Sequence, residues 1–148
     1  MTTLPPAPPG QKVLALDYGQ RRVGVAVSDA LHLMAHGRET LLFKSKRDLF
    51  ERLRRLMQDE QVGLVVVGLP RHLNGDDSDM TKIVRTFIHE LEQQTQVPVV
   101  AWDERWSSKQ AARTLAESGA RRQRKELIDQ LAAVLILQSY LDRVKINS

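Results

Sequence analysis

The stretch Val13-Leu-Ala-Leu-Asp-Tyr-Gly-Gln-Arg-Arg-Val-Gly-Val-Ala-Val-Ser-Asp29 constrains the fold more than any other. Two apolar runs, Val13 to Leu16 and Val23 to Val27, flank a short polar connection containing Gly19. Runs of this length and composition pair as a hairpin of buried strands. Asp17 falls where the first strand ends. Gly19 and Gly24 have no Cβ and so admit a close approach of backbone or ligand. An acid in this place has two readings. It accepts hydrogen bonds in the turn, as Asp often does, or it serves a metal or phosphate site. The hairpin alone leaves both open.

The rest of the chain supplies the partners of that hairpin. Leu31 to Phe43 reads as a third strand with a turn near His36-Gly37, which implies an antiparallel meander. Lys46 to Asp59 carries Leu49, Phe50, Leu53, Leu56 and Met57 at helical spacing. Val62 to Val67 is almost wholly apolar, as a strand buried on both faces is. A polar loop from Leu69 to Asp79 follows, then a helix from Met80 to about Gln94. Val97 to Trp102 is a fifth strand, Ser107 to about Ser118 a helix stopped by Gly119, and Lys125 to Val144 the final helix. The order β-β-β-α-β-α-β-α-α predicts an α/β fold, a mixed five-stranded sheet flanked by helices.

Length and composition narrow the class. The 148 residues suit one domain, expected over residues 12–148, behind a flexible Pro-rich tail of residues 1–11. Cysteine is absent, which excludes disulfides and thiolate zinc sites and fits a cytoplasmic protein. His32 and His36 are four apart but fall in the expected third strand, where that spacing does not make a metal site. The apolar runs at Leu64 to Leu69 and Leu131 to Leu137 fall far short of the roughly 20 residues needed to span a bilayer, and no signal peptide is visible. No membrane partner is expected. The net charge of +4 is modest, but its distribution is not even. Arg121, Arg122, Arg124 and Lys125 crowd together, and Arg21 and Arg22 lie near Asp17. Clustered bases favour a polyanion such as nucleic acid; a solvated charged loop is the plainer reading.

Acids at strand ends deserve separate weighing, because α/β sheets place ligands there. Asp17 ends the first strand, and Asp103 and Glu104 end the fifth. Helix N-terminal charge accounts for one of the latter two. Asp129 is the sharpest anomaly, since its helical neighbours are Ala132, Ala133 and Ile136. A carboxylate on an apolar face must be paired, protonated or metal-bound. A buried salt bridge with an arginine competes with the metal reading. Isolated acids of this kind can bind Mg²⁺ or Mn²⁺, which take oxygen ligands and support phosphodiester hydrolysis.

The segments Leu-Asp17-Tyr-Gly19-Gln-Arg-Arg22-Val-Gly24-Val-Ala-Val-Ser-Asp29, Val67-Gly-Leu-Pro70 with Asn74-Gly75, Asp103-Glu-Arg105, and Arg124-Lys125-x-x-x-Asp129-x-x-Ala-Ala133 together resemble the YqgF family. Their order and spacing hold from about Lys12 to Leu141. That family comprises Holliday junction resolvases and nucleases that process the precursor of 16S ribosomal RNA. The resemblance implies a ribonuclease H-like fold and a metal-dependent nuclease of the cytoplasm. It implies Asp17, Glu104 and Asp129 as the catalytic, Mg²⁺- or Mn²⁺-binding acids. Arg22, Arg71, Asn74, Arg105, Arg124 and Lys125 become candidates for contacting RNA or branched DNA. Gln20 stands where the family commonly has Thr or Ser, so a hydroxyl contact at that position is missing. Cleavage of a symmetric junction would favour a homodimer. Two other classes compete. Asp17-x-Gly19 on a hairpin also resembles the phosphate loop of actin and sugar-kinase folds, which are usually far longer. A non-catalytic nucleic-acid-binding factor, associated with ribosomes or transcription, would retain the fold without needing the acids.

Overall fold

The computed structural model describes residues 7–107 and 122–146, with the side chains of 122–124 and 146 excepted. Strand β1 (Lys12–Tyr18) pairs antiparallel with β2 (Arg22–Ser28), which pairs antiparallel with β3 (Ala35–Leu42). Helix α1 (Lys46–Asp59) then leads to β4 (Val62–Leu69), laid parallel against β1. Helix α2 (Asp79–Thr95) leads to β5 (Val99–Asp103), parallel to β4. A single 3-10 turn, Glu104–Trp106, follows β5, and α3 (Arg122–Ile146) is the last element. The sheet runs β3-β2-β1-β4-β5, five strands of mixed sense as the sequence order predicts.

Strand alternation divides the core into two layers. Leu14, Leu16 and Tyr18 of β1 point to one face, where they meet Leu49, Phe50 and Leu53 of α1 and Val84, Phe87 and Leu91 of α2. Tyr18 and Phe87 stack there with ring centroids 4.0 Å apart. Val13 and Ala15 point to the other face, against Ala133, Ile136, Leu137 and Tyr140 of α3. Asp17, next in the same alternation, therefore belongs to the α3 face. Because β1 and β4 are covered on both sides, nearly every residue in them is apolar.

Capping fixes where the helices start. Ser45 accepts the Asp48 amide at the head of α1. Ser78 and Thr81 form a reciprocal capping box on α2, and the fully buried Thr81 hydroxyl also donates to the Pro70 carbonyl. That bond ties the loop after β4 to the start of α2.

Three expectations need correction. No turn occurs at His36-Gly37, which lie within β3 opposite Val27 and Ala26. The chain turns earlier, where Asp29 Oδ1 accepts the amides of Leu33 and Met34 at 2.8 and 2.9 Å and His32 takes a φ of 60°. His32 thus stands in this turn rather than in a strand. The fifth strand starts at Val99, not Val97. The expected helix from Ser107 to Ser118 lies outside the described residues, as does the tail before Ala7, while Ala7 itself packs against the α3-side core. Among the described residues no helix is long and apolar enough to cross a membrane.

Candidate active site

Asp17 closes β1 on the α3 face and is buried, 4% exposed. Directly across the hairpin its partner is Gly24. A Cβ at Gly24 would fall 2.0 Å from the Asp129 carbonyl oxygen, so only glycine lets α3 lie this close to β2. Ala132 and Ala133, both buried, continue the close contact one turn on. The same glycine therefore sits against both Asp17 and Asp129.

Glu104 reaches this face from the opposite side of β1. The register Leu16↔Val67 sets Asp17 beside Gly68 of β4, one residue further along both strands. A Cβ at Gly68 would lie 3.3 Å from Glu104 Oε1 and 2.6 Å from Ile136 Cδ1. Two glycines thus floor the α3 face between the three acids, at the carboxyl ends of the parallel strands. Among the described residues, no three acidic or imidazole side chains are arranged as a group that could hold a metal ion.

Asp129 has a basic neighbour. Arg22 Nε lies 3.1 Å from its Oδ2, and both side chains are partly exposed. The arginine bridge weighed against a metal role for Asp129 is therefore present. Its sequence signal was available: Arg22 and Gly24 are two apart in one strand and share a face.

Asp103 and Glu104 are adjacent but serve opposite faces. Asp103 pairs with Leu69, whose side chain belongs to the α1–α2 layer. Its carboxylate accepts the Arg105 amide at 2.9 Å and the Arg105 guanidinium at 3.0, 3.1 and 2.7 Å. Arg71 Nε stands 4.0 Å from the same carboxylate. Hydrogen bonding from Arg105, chiefly, holds the Asp103 carboxyl below its usual range against the opposing effect of burial. The capping interpretation is thus correct for Asp103, and the wider role of this acid in gathering two arginines has no local sequence signal.

The basic candidates do not converge on the acids as one group. Arg22 is there; Arg71 and Arg105 are on the α2 side of the rim. The Asn74 side chain closes its own loop, donating to Asp76 Oδ2 at 3.0 Å and accepting the Asp76 amide at 2.9 Å. Lys125 is exposed on the first turn of α3, and the side chains of Arg122 and Arg124 lie outside those described.

A mixed sheet of this order, with α3 across one face and two helices on the other, defines the ribonuclease H-like class of α/β proteins. Within that class the RuvX family, described as Holliday junction resolvase, matches residues 11–143, and the chain belongs to it. This is the YqgF family of the sequence motifs. A relative from Koribacter versatilis, named "Putative pre-16S rRNA nuclease", is 46% identical over 133 residues, covering 89% of this chain and 87% of that one. A relative of the same name from Thermoanaerobacter pseudethanolicus is 39% identical over 136 residues, covering 90% and 98%. Thermus thermophilus RuvC, solved in complex with a Holliday junction substrate, shares the fold at a TM-score of 0.56 and 17% identity, covering 90% of this chain and 96% of that chain. The family makes the chain a hydrolase of the nuclease kind.

Proposed function

We propose that the chain is a divalent-metal-dependent endonuclease of structured nucleic acid, acting in the cytoplasm on the precursor of 16S ribosomal RNA. The observation that carries this reading is the meeting of β1, β5 and α3 at one glycine-floored face, which gives Asp17, Glu104 and Asp129 a common side of the sheet. Hard oxygen donors from three elements are the donor set that Mg²⁺ and Mn²⁺ take, and the missing Cβ atoms at Gly24 and Gly68 let the Asp129 backbone and Glu104 close in on the same face. Among the described residues these acids do not form a closed cage for an ion; they fit one by the chemistry of their oxygens. When bound, such an ion supplies charge neutralisation at the phosphate and activation of water.

The chain's own residues supply the rest. Asp17, Glu104 and Asp129 are the ligating acids in this reading. Arg22 pairs with Asp129 and stands where a phosphodiester oxygen would gain a positive neighbour. Arg71, Arg105, Arg124 and Lys125 are backbone contacts, while Asn74 shapes the loop that carries Arg71. Incubating a labelled precursor RNA with the protein in Mg²⁺, and mapping the product ends, tests the reading. Ends bearing a 5′-phosphate and a 3′-hydroxyl are expected, with loss of cleavage in EDTA. A 2′,3′-cyclic phosphate, or cleavage undiminished by EDTA, refutes it. Branched DNA is the second reading, favoured by the description of the family, and a four-way junction cleaved in preference to the RNA would establish it, with a homodimer as the matching assembly.

A further inference from the structure

The rim of the sheet carries a second basic constellation that the acids do not need. Arg71 and Arg105 are brought together by strand register, because Leu69 pairs with Asp103 and each arginine lies two residues beyond its strand partner. Asp103 is nearly inaccessible, and its one negative charge faces two guanidinium groups. Arg105 is fixed by its fork on that carboxylate, and its Nη1 reaches the Leu73 carbonyl at 3.4 Å. Arg71 is poised differently. Its Nε is buried and finds no hydrogen-bond partner among the described residues, and its nearest acids, Asp77 and Asp103, are both 4.0 Å away. That Nε is closed to an incoming strand, but the side chain is 29% exposed, so it is the outer guanidinium nitrogens that keep donors for another acceptor.

We propose that Arg71 and Arg105 form a clamp for one backbone phosphate of the nucleic-acid strand, and that Asp103 is the positioning residue that sets it. The proposal rests on the nuclease reading and deepens it. Glu104 points to the α3 face and Asp103 to the α2 face, so a strand crossing this rim passes from the acids to the clamp within one residue of protein. The clamped phosphate is therefore a neighbour of the one attacked and not that phosphate itself. Asp77, the second acid near Arg71, is paired with Arg85 at 3.4 Å, so three arginines face two acids and leave a net positive charge, and planar forks match phosphate oxygens in pairs.

Anisotropy of a labelled precursor RNA fragment, titrated with protein in EDTA from 50 to 200 mM NaCl, about the range over which phosphate contacts dominate, reads the clamp without cleavage. Arg71→Gln and Arg105→Gln should each weaken binding roughly tenfold, the loss expected for a charge-assisted hydrogen bond. Each should reduce the salt slope by about 0.9, one phosphate's worth. The double variant should lose little more than either single one, since both serve the same phosphate. Asp103→Asn should also weaken binding, although removing a negative charge would by itself strengthen it. Arg71→Lys should restore only part of the affinity, and Arg55→Gln, an equal charge change on the far side of α1, should do nothing.

Wild-type affinity and slope in Arg71→Gln, which removes no side-chain hydrogen bond among the described residues, would overturn the proposal, an unchanged melting temperature checking that the variant folds. Tighter binding by Asp103→Asn would overturn it as well. The two readings separate cleanly. A protein that cleaves RNA in Mg²⁺ but binds independently of Arg71 and Arg105 is a nuclease without the clamp. One that binds through both arginines yet never cleaves has the clamp without the nuclease.

Discussion

Arg22 and Asp129 are joined by a 3.1 Å contact between Nε and Oδ2, which ties the hairpin's second strand to the helix laid over it. Both side chains are partly open to solvent, so the pair is worth only about 0.5–1 kcal/mol. It also competes with any cation for the Asp129 carboxylate. Arg22→Gln should therefore tighten Mn²⁺ binding about two- to fivefold, the equivalent of that energy, as measured by isothermal titration calorimetry. The same variant should bind RNA more weakly. Unchanged or weaker Mn²⁺ binding would show that Arg22 orients the carboxylate for the ion rather than opposing it.

Asp17→Asn should abolish turnover and leave RNA binding intact or slightly tighter, because one negative charge near phosphate is gone. Replacing Arg124 and Lys125 together with Ala should do the reverse, weakening affinity and flattening its salt dependence. Parallel cleavage and anisotropy measurements distinguish the two. Equal loss of binding in both variants would dissolve the division of labour between acids and bases.

Gly24→Ala should be severe. The new methyl would meet the Asp129 backbone at 2.0 Å, and backbone cannot swing aside as a side chain does. A cost of at least about 2 kcal/mol is expected, read as a lowered urea midpoint with the slope unchanged. Gly68→Ala meets the tip of Ile136 instead and should cost only about 1 kcal/mol. Its greater effect should fall on kcat through displaced Glu104.

Acid should loosen the Asp103–Arg105 contact. The folded-state carboxyl titrates below the ordinary value of 3.8, so the pair's stabilisation is complete above about pH 4. It is lost as the pH falls through the lower, folded-state value. Melting temperatures of the wild type and Asp103→Asn, taken from pH 7 to pH 3, should draw closer as the pH falls below about 4. A gap that stays constant over that range would place the stabilisation elsewhere.

Periodicity made much of the fold legible. Helix α1 has the limits that its apolar spacing predicts, Lys46 to Asp59, because a clear amphipathic face and a Ser45 cap agree. The hairpin and β4 were equally plain, being apolar on both faces. Gly37 misled, since a glycine beside polar residues reads as a turn. Its actual constraint comes from α3, where the Gln130 side chain lies 2.6 Å from the place a Cβ would take. Pro98 blurred the start of β5: it lacks an N–H, yet its carbonyl still accepts the Val65 amide at 3.0 Å. The acids could be named from strand ends and motif, and Arg22 from its spacing to Gly24. The Arg71–Asp103 approach could not, because it depends on how β4 and β5 align, which neither strand encodes alone.

The close seating of α3 on Gly24 has a consequence for the making of the protein. Asp17 lies near the start of the chain and Asp129 near its far end, so synthesis delivers one acid long before the other. Domains fold from their earlier-made parts as the chain emerges, and the hairpin can form with its glycine side still bare. In the proposed site, no incomplete chain then carries a working set of acids. A nuclease with such a site would stay inert on the ribosome, amid RNA, until the helix that carries Asp129 has emerged and docked on Gly24.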